Sequence, residues 1–147
     1  MKKLFKPIIL FLIGGSIYIS IEVIYRCIMN RPDTHWSMFV LGGLAFILIG
    51  AINEYITWEI PFWIQDFIGT AIVLLLEFFF GCVLNLWLDI GVWDYSNMPL
   101  NILGQVCLPF ALIWCALVAI AIVLDDYLRY WMFGEEKPTY YWKFKHE

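Results

Sequence analysis

Charge is scarce in this chain. Aspartate, glutamate, lysine and arginine make up 15% of its 147 residues, while 63% are hydrophobic and the mean hydropathy is +0.79. A soluble domain of that length has too little interior to hide so much apolar surface, so long apolar runs point to membrane-spanning helices. Histidine is nearly missing: His35 and His146 are the two present. Cys27, Cys82, Cys107 and Cys115 form no C-x-x-C pair, and three of them lie in apolar runs. No metal or other cofactor is therefore expected, and the cysteines read as small buried hydrophobes. Cys27 and Cys107 both fall near the predicted outer face, which leaves one disulfide open. The net charge of −4 is modest, and the basic residues gather at the two ends. That pattern suits orientation in a membrane and argues against nucleic acid as a partner.

The start "MKKLFKPIILFLIGGSIYI" is basic and then apolar, like a secretory signal, yet no small-x-small cleavage site follows. It reads as an uncleaved first transmembrane helix. Runs of about 20 apolar residues are long enough to cross a bilayer. They predict an all-α membrane protein with four spans, at about 7–25, 36–55, 66–88 and 100–124. "PFWIQDFIG" reads as an interfacial turn before the third. The transmembrane domain then covers 1–128, and an aromatic and basic tail covers 129–147, lying on the lipid surface or in solvent. Lys2, Lys3, Lys6, Arg129, Lys137, Lys143 and Lys145 flank the bundle on one side, whereas the first loop holds Arg26 and Arg31 and the other two loops hold no basic residue. Both termini should be cytoplasmic. Tryptophans fit those boundaries: Trp36, Trp87 and Trp93 at the outer interface, and Trp58, Trp63, Trp131 and Trp142 at the inner one. Trp114 falls in mid-span and reads as core.

The spans also echo one another. Gly14 precedes Glu22 as Gly69 precedes Glu77, and "INEYI" (52–56) resembles "LDDYL" (124–128). The echo suggests two helix hairpins as a parallel internal repeat.

Glu77 is the residue the bilayer should least tolerate. Val73, Leu74, Phe80 and Gly81, its neighbours one turn away, offer it no partner. A carboxylate at that depth costs a few kcal/mol, so it should face protein or water and find a donor elsewhere. Glu22 sits one turn from Arg26, close enough for an i,i+4 pair. Glu54, Asp125 and Asp126 fall at helix ends, where hydration is expected. The loop "GVWDYSNMPLN" (91–101) then reads as a structured outer cap. In it Trp93 and Tyr95 anchor at headgroups, Asp94 seeks Arg31 as its cation, Ser96 and Asn101 turn the chain, and Pro99 opens the fourth helix.

Trp93-Asp94-Tyr95-Ser96, followed by Pro99, Asn101 and Gly104 after a helix bearing Glu77, resembles a family signature. It is similar to the bacterial membrane family labelled ABC-transporter type IV, to which eukaryotic transmembrane protein 229 is also similar. Glu22 and Asn30-Arg31 fit the family's first hairpin. Pro32 departs from its glycine, and "FVLG" (39–42) stands where a P-I-Y-G-like run belongs. The resemblance implies a bacterial cytoplasmic-membrane protein of the transport class. The sequence G-x-x-x-x-G-K-[ST] does not occur, so an ATPase would be another chain.

Three functions follow. The first is a transport or permease component, with Glu77, Glu22, Arg31, Trp93, Asp94, Tyr95, Ser96 and Asn101 as binding or transport residues and a homo-oligomer, a membrane subunit or an ATPase as partner, in contact with membrane lipids. The second is a non-catalytic subunit or scaffold that holds a larger complex or binds lipid. A lipid-modifying enzyme ranks third, because no nucleophile stands beside a base.

Overall fold

The computed structural model describes residues 2–56 and 58–144, and its long elements are all helical. Helix α1 covers Lys2–Ile28, α2 Ser37–Gly50, the short α3 Ile52–Tyr55, α4 Phe62–Gly81 and α5 Leu108–Phe133. Helix α4 runs directly into a π-helical stretch, Cys82–Trp87. Four segments, Phe5–Ile28, Ser37–Tyr55, Phe62–Trp87 and Leu108–Phe133, are long and apolar enough to cross a membrane. Among the described residues there are no strands, and two isolated bridges join Pro61 to Tyr141 and Ile102 to Val106.

Local chemistry explains most of the boundaries. Pro61 is extended (ψ 141°) and immediately precedes α4, so "PFWIQDFIG" is the helix's first turns and not a separate interfacial turn. Pro109 opens α5, where its missing N–H costs nothing. The fourth helix thus begins eight residues later than expected, and residues 100–107 belong to the loop. Gly134 in the left-handed region (φ 69°) ends α5, its N–H bonded to the Arg129 carbonyl. Helix therefore continues into the stretch expected to be tail. Helix α1 starts at Lys2, so Pro7 lies inside it and not at its start.

Without a hydrophobic force between helices in lipid, close backbone approach at small residues has to hold them. A Cβ on Gly14 would lie 2.2 Å from the Phe46 Cβ, and one on Gly42 2.3 Å from that of Tyr18. Phe11 meets Gly43 and Phe39 meets Gly15, so α1 and α2 run antiparallel. On α4, Gly69 receives Val118 of α5 in the same way, at 2.6 Å. Helix α2 touches α1, α4 and α5 and occupies the centre. Over half of the α2–α3 segment is buried, against under a fifth of α1. Ala45, Ile49, Val73, Trp114, Val118 and Ile122 form the main core.

The four cysteines are free, Cys27 exposed and Cys107 buried, so the disulfide left open by the sequence is not formed. Lys145 and His146 lie outside the described residues. Beyond Gly134 the chain folds back onto the bundle: the Tyr141 carbonyl accepts from the Phe62 N–H at 2.7 Å, and Tyr140 packs edge-on against Phe62. The tail segment around Tyr140 is thus docked on the bundle and not a free solvated extension, although Trp142 and Phe144 remain exposed.

Candidate functional site

The buried residues of α4 are Gln65, Gly69, Val73, Glu77 and Gly81, one every fourth position. That single stripe carries Glu77 inward, where it is 3% exposed. Its own helix offers no donor, and two come from elsewhere. The Tyr95 hydroxyl donates to Oε1 at 3.3 Å, and the Trp114 indole N–H to Oε2 at 3.1 Å. Both donors are neutral; among the described residues no cation bonds the carboxylate. Trp114 is held by stacking on Tyr18 (5.3 Å), and Tyr95 by stacking on Phe110 (4.5 Å). Burial and the neighbouring Glu77 push the Tyr95 phenol well above its ordinary value, so it stays a donor at any physiological pH.

Glu77 opens into a cavity of about 420 Å³. Glu22, Arg31, Trp93, Asp94 and Tyr95 also line it, so six of the eight residues singled out by sequence share one space. Ser96 and Asn101 do not; they build the cap. The Asn101 amide donates to the Met98 carbonyl at 2.9 Å and its Oδ1 accepts from the Gly104 N–H at 3.0 Å. Asp94 accepts from the Ser96 N–H at 2.8 Å and from the Ser96 hydroxyl, which hold its carboxyl below the ordinary carboxylate range. It makes no ion pair with Arg31, contrary to expectation, because a local turn supplies closer donors.

Two further expectations are corrected. The polar ends of Trp93 and Tyr95 turn into the protein and not toward headgroups: Tyr95 reaches down to Glu77, and the Trp93 N–H donates to the Gln105 carbonyl at 3.0 Å. Pro99 does not open a helix; its carbonyl accepts from the Leu108 N–H at 3.3 Å, which ties the loop to the start of α5. The pair of Glu22 with Arg26 forms as expected, at 2.5 Å, and Arg26 also donates to the carbonyls of Asp33 and Val92, each at 2.7 Å. One side chain thereby links α1 to both loops over the cavity.

Asn85 and Gln105 went unrecognised in the sequence. The π-helical stretch turns Asn85 toward the cap, where it donates to Gln105 Oε1 at 2.8 Å and accepts from the Val92 N–H at 2.7 Å. A polar pair spaced 20 residues apart gives no periodic signal. Trp114 was legible only as core, yet a buried indole N–H and a buried carboxylate each need what the other has.

The opposite end holds a second polar cluster. Asp125, Asp126 and Arg129 are buried, not hydrated as their helix-end positions suggested. Arg129 bonds Asp125 and Glu54; Lys6 bonds Glu54 and Glu135; the Asn53 amide donates to Asp126 at 2.7 Å and the Tyr140 hydroxyl to the same oxygen atom at 2.8 Å. Each of these carboxyl groups has a cationic or neutral donor in place of water, while Asn53 Oδ1 and Asp125 Oδ1 are buried without a hydrogen-bond partner among the described residues. Burial and Asp126 hold the Tyr140 phenol above its ordinary value and keep it a donor.

Four apolar helices, small residues at their contacts and two polar clusters, one at each end, define a multispan integral membrane protein with an internal cavity under a loop cap. The profile of one family, described as "Putative ABC-transporter type IV", matches residues 9–142, and the chain belongs to that family. Comparison with curated proteins gives no match, and neither does comparison with solved structures.

Proposed function

We propose that the protein is the membrane-spanning component of a transport system, in which the Glu77 cavity is the site its cargo visits. One observation carries this reading: a carboxylate 3% exposed, bonded by neutral donors alone, opens into a cavity between helices and a loop cap. Such a residue is costly in a bilayer and by default points to an ion or substrate path. The family description supports the transport class. In this reading the W-D-Y-S cap faces outward, both termini are cytoplasmic, and the membrane is a bacterial cytoplasmic one. ATP hydrolysis, where used, belongs to a partner chain. The expected result is that Glu77→Gln abolishes flux in vesicles while expression and folding persist; unchanged flux would sink the reading.

A second reading, a non-catalytic subunit, draws on α1. Its Leu12, Ile17, Ile21, Ile24 and Ile28 are exposed, a face for lipid, a second copy or a partner helix. A native mass spectrum after gentle extraction separates the two. A stoichiometric ATP-binding chain supports transport; a homo-oligomer with one retained lipid class supports a scaffold or lipid binder.

A further inference from the structure

The charges around the cavity are not equally occupied. Glu22 is matched by Arg26, whose guanidinium also serves two carbonyls. Asp94, exposed at the cap, has no cation among the described residues, but its Oδ1 accepts from the Ser96 N–H and hydroxyl. That leaves Glu77 at the bottom without a cation and Arg31 at the exposed mouth, whose side chain makes no hydrogen bond or ion pair among the described residues. The wall between them is aromatic, built from Tyr18, Tyr25, Trp93, Tyr95, Phe110 and Trp114.

We propose that the cavity binds a quaternary, fully methylated ammonium zwitterion, its cation against Glu77 and the aromatic faces and its anionic group at Arg31. The proposal rests on the reading of this cavity as the cargo's site and names the chemistry of that cargo. Glu77 at the inner end and Arg31 at the mouth, where Asp94 is engaged by Ser96, suit a ligand whose cation enters first and whose anion meets Arg31. Aromatic faces attract a cation through their ring quadrupoles, most strongly when it is desolvated. The methylation follows from the acceptors. A primary ammonium needs three of them, whereas the Tyr95 and Trp114 donors already take one lone pair on each Glu77 oxygen and leave too few for it. A quaternary ammonium needs none. The volume of about 420 Å³ suits a small headgroup and lies within the usual range of ligand sites. A lipid headgroup and a free solute share this chemistry.

The test uses the full chain purified in detergent. Calorimetric titration with tetramethylammonium and with phosphocholine should give saturable binding of both. Phosphocholine should bind about tenfold tighter, and phosphoethanolamine about tenfold weaker than phosphocholine. Glu77→Gln should weaken both methylated probes by about tenfold, whereas Arg31→Ala should erase only the advantage of phosphocholine. Arg31 is exposed and unbonded, so its variant decides the matter even where Glu77→Gln fails to fold. Extraction from mixed vesicles, with selective retention of phosphatidylcholine over phosphatidylglycerol, identifies the source as lipid; loss of the lipid with retained phosphocholine binding identifies a solute. Absence of saturable binding together with absence of lipid selectivity overturns the proposal. So does binding that neither substitution moves, or equal affinity for phosphoethanolamine. Flux that depends on Glu77 without probe binding removes the ligand class and leaves the transport reading intact. Probe binding without any flux does the reverse.

Discussion

Gly104 meets two demands at once. Its φ of +69° lies where only glycine is comfortable, and a Cβ there would sit 2.6 Å from Ser96 Oγ and 3.0 Å from Asp94 Oδ1. Gly91 has the same φ of +68° but open space around it. Gly104→Ala should therefore cost about 2–3 kcal/mol and Gly91→Ala about 1. Thermal unfolding in detergent measures both, and equal losses would show that the contact with Ser96 and Asp94 is slack. Asp94 adds a pH dependence. Its folded value is depressed, so its contribution to the cap is complete above the ordinary aspartate value of 3.8 and is lost as pH falls through the lower folded one. Trp93 fluorescence should follow that acid loss, and Asp94→Asn should remove it; an identical acid transition in the variant would assign the loss to another group. Glu77 stood out in sequence because a carboxylate in an apolar run has no cheap explanation. Its partners did not, since a lone Trp114 or a loop Tyr95 has many. The predicted topology put Asp94 and Arg31 in outer loops on one side but could not show that Ser96, two residues away, wins on distance.

The ends of α3 and α5 show how far a helix boundary can mislead. Both read as hydrated, because a charged residue at a helix terminus normally reaches water. Instead α1, α3 and α5 bring their charges together. A Cβ on Gly50 would lie 2.1 Å from Asp125 Oδ2, so α2 presses on the same carboxylate. Arg129→Ala leaves a buried Asp125 without its cation and should cost about 3–5 kcal/mol in thermal or denaturant unfolding. The double variant Asp125→Asn, Arg129→Met should recover much of that loss. A small effect of the single substitution would mean that water enters the cluster. The four apolar helices were legible from hydropathy alone. The start of α5 was not, because "LNILGQVCL" is apolar enough to pass for span, and Pro99 and Pro109 both look like a helix opener. The π-helical end of α4 was invisible: one extra residue per turn leaves no mark in an apolar run.

At the scale of the molecule, the described N-terminal and C-terminal segments meet at one end through Lys6 and Glu135. Tyr140, by its ring against Phe62, and Tyr141, by its carbonyl, then clasp the start of α4. Removing residues 135–147 should leave the four helices in place but raise hydrogen exchange over residues 58–66 by about tenfold or more. Unchanged exchange there would mean that α4 holds its first turn unaided. The same clasp governs the order of assembly in the cell. Phe62 and Tyr141, 79 residues apart in the chain, have to meet, so α4 reaches the translocon long before its cover exists. During that interval Phe62 and its neighbours are guarded by lipid or by the insertion machinery, and the bundle is sealed at this end only once α5 and Tyr141 have left the ribosome.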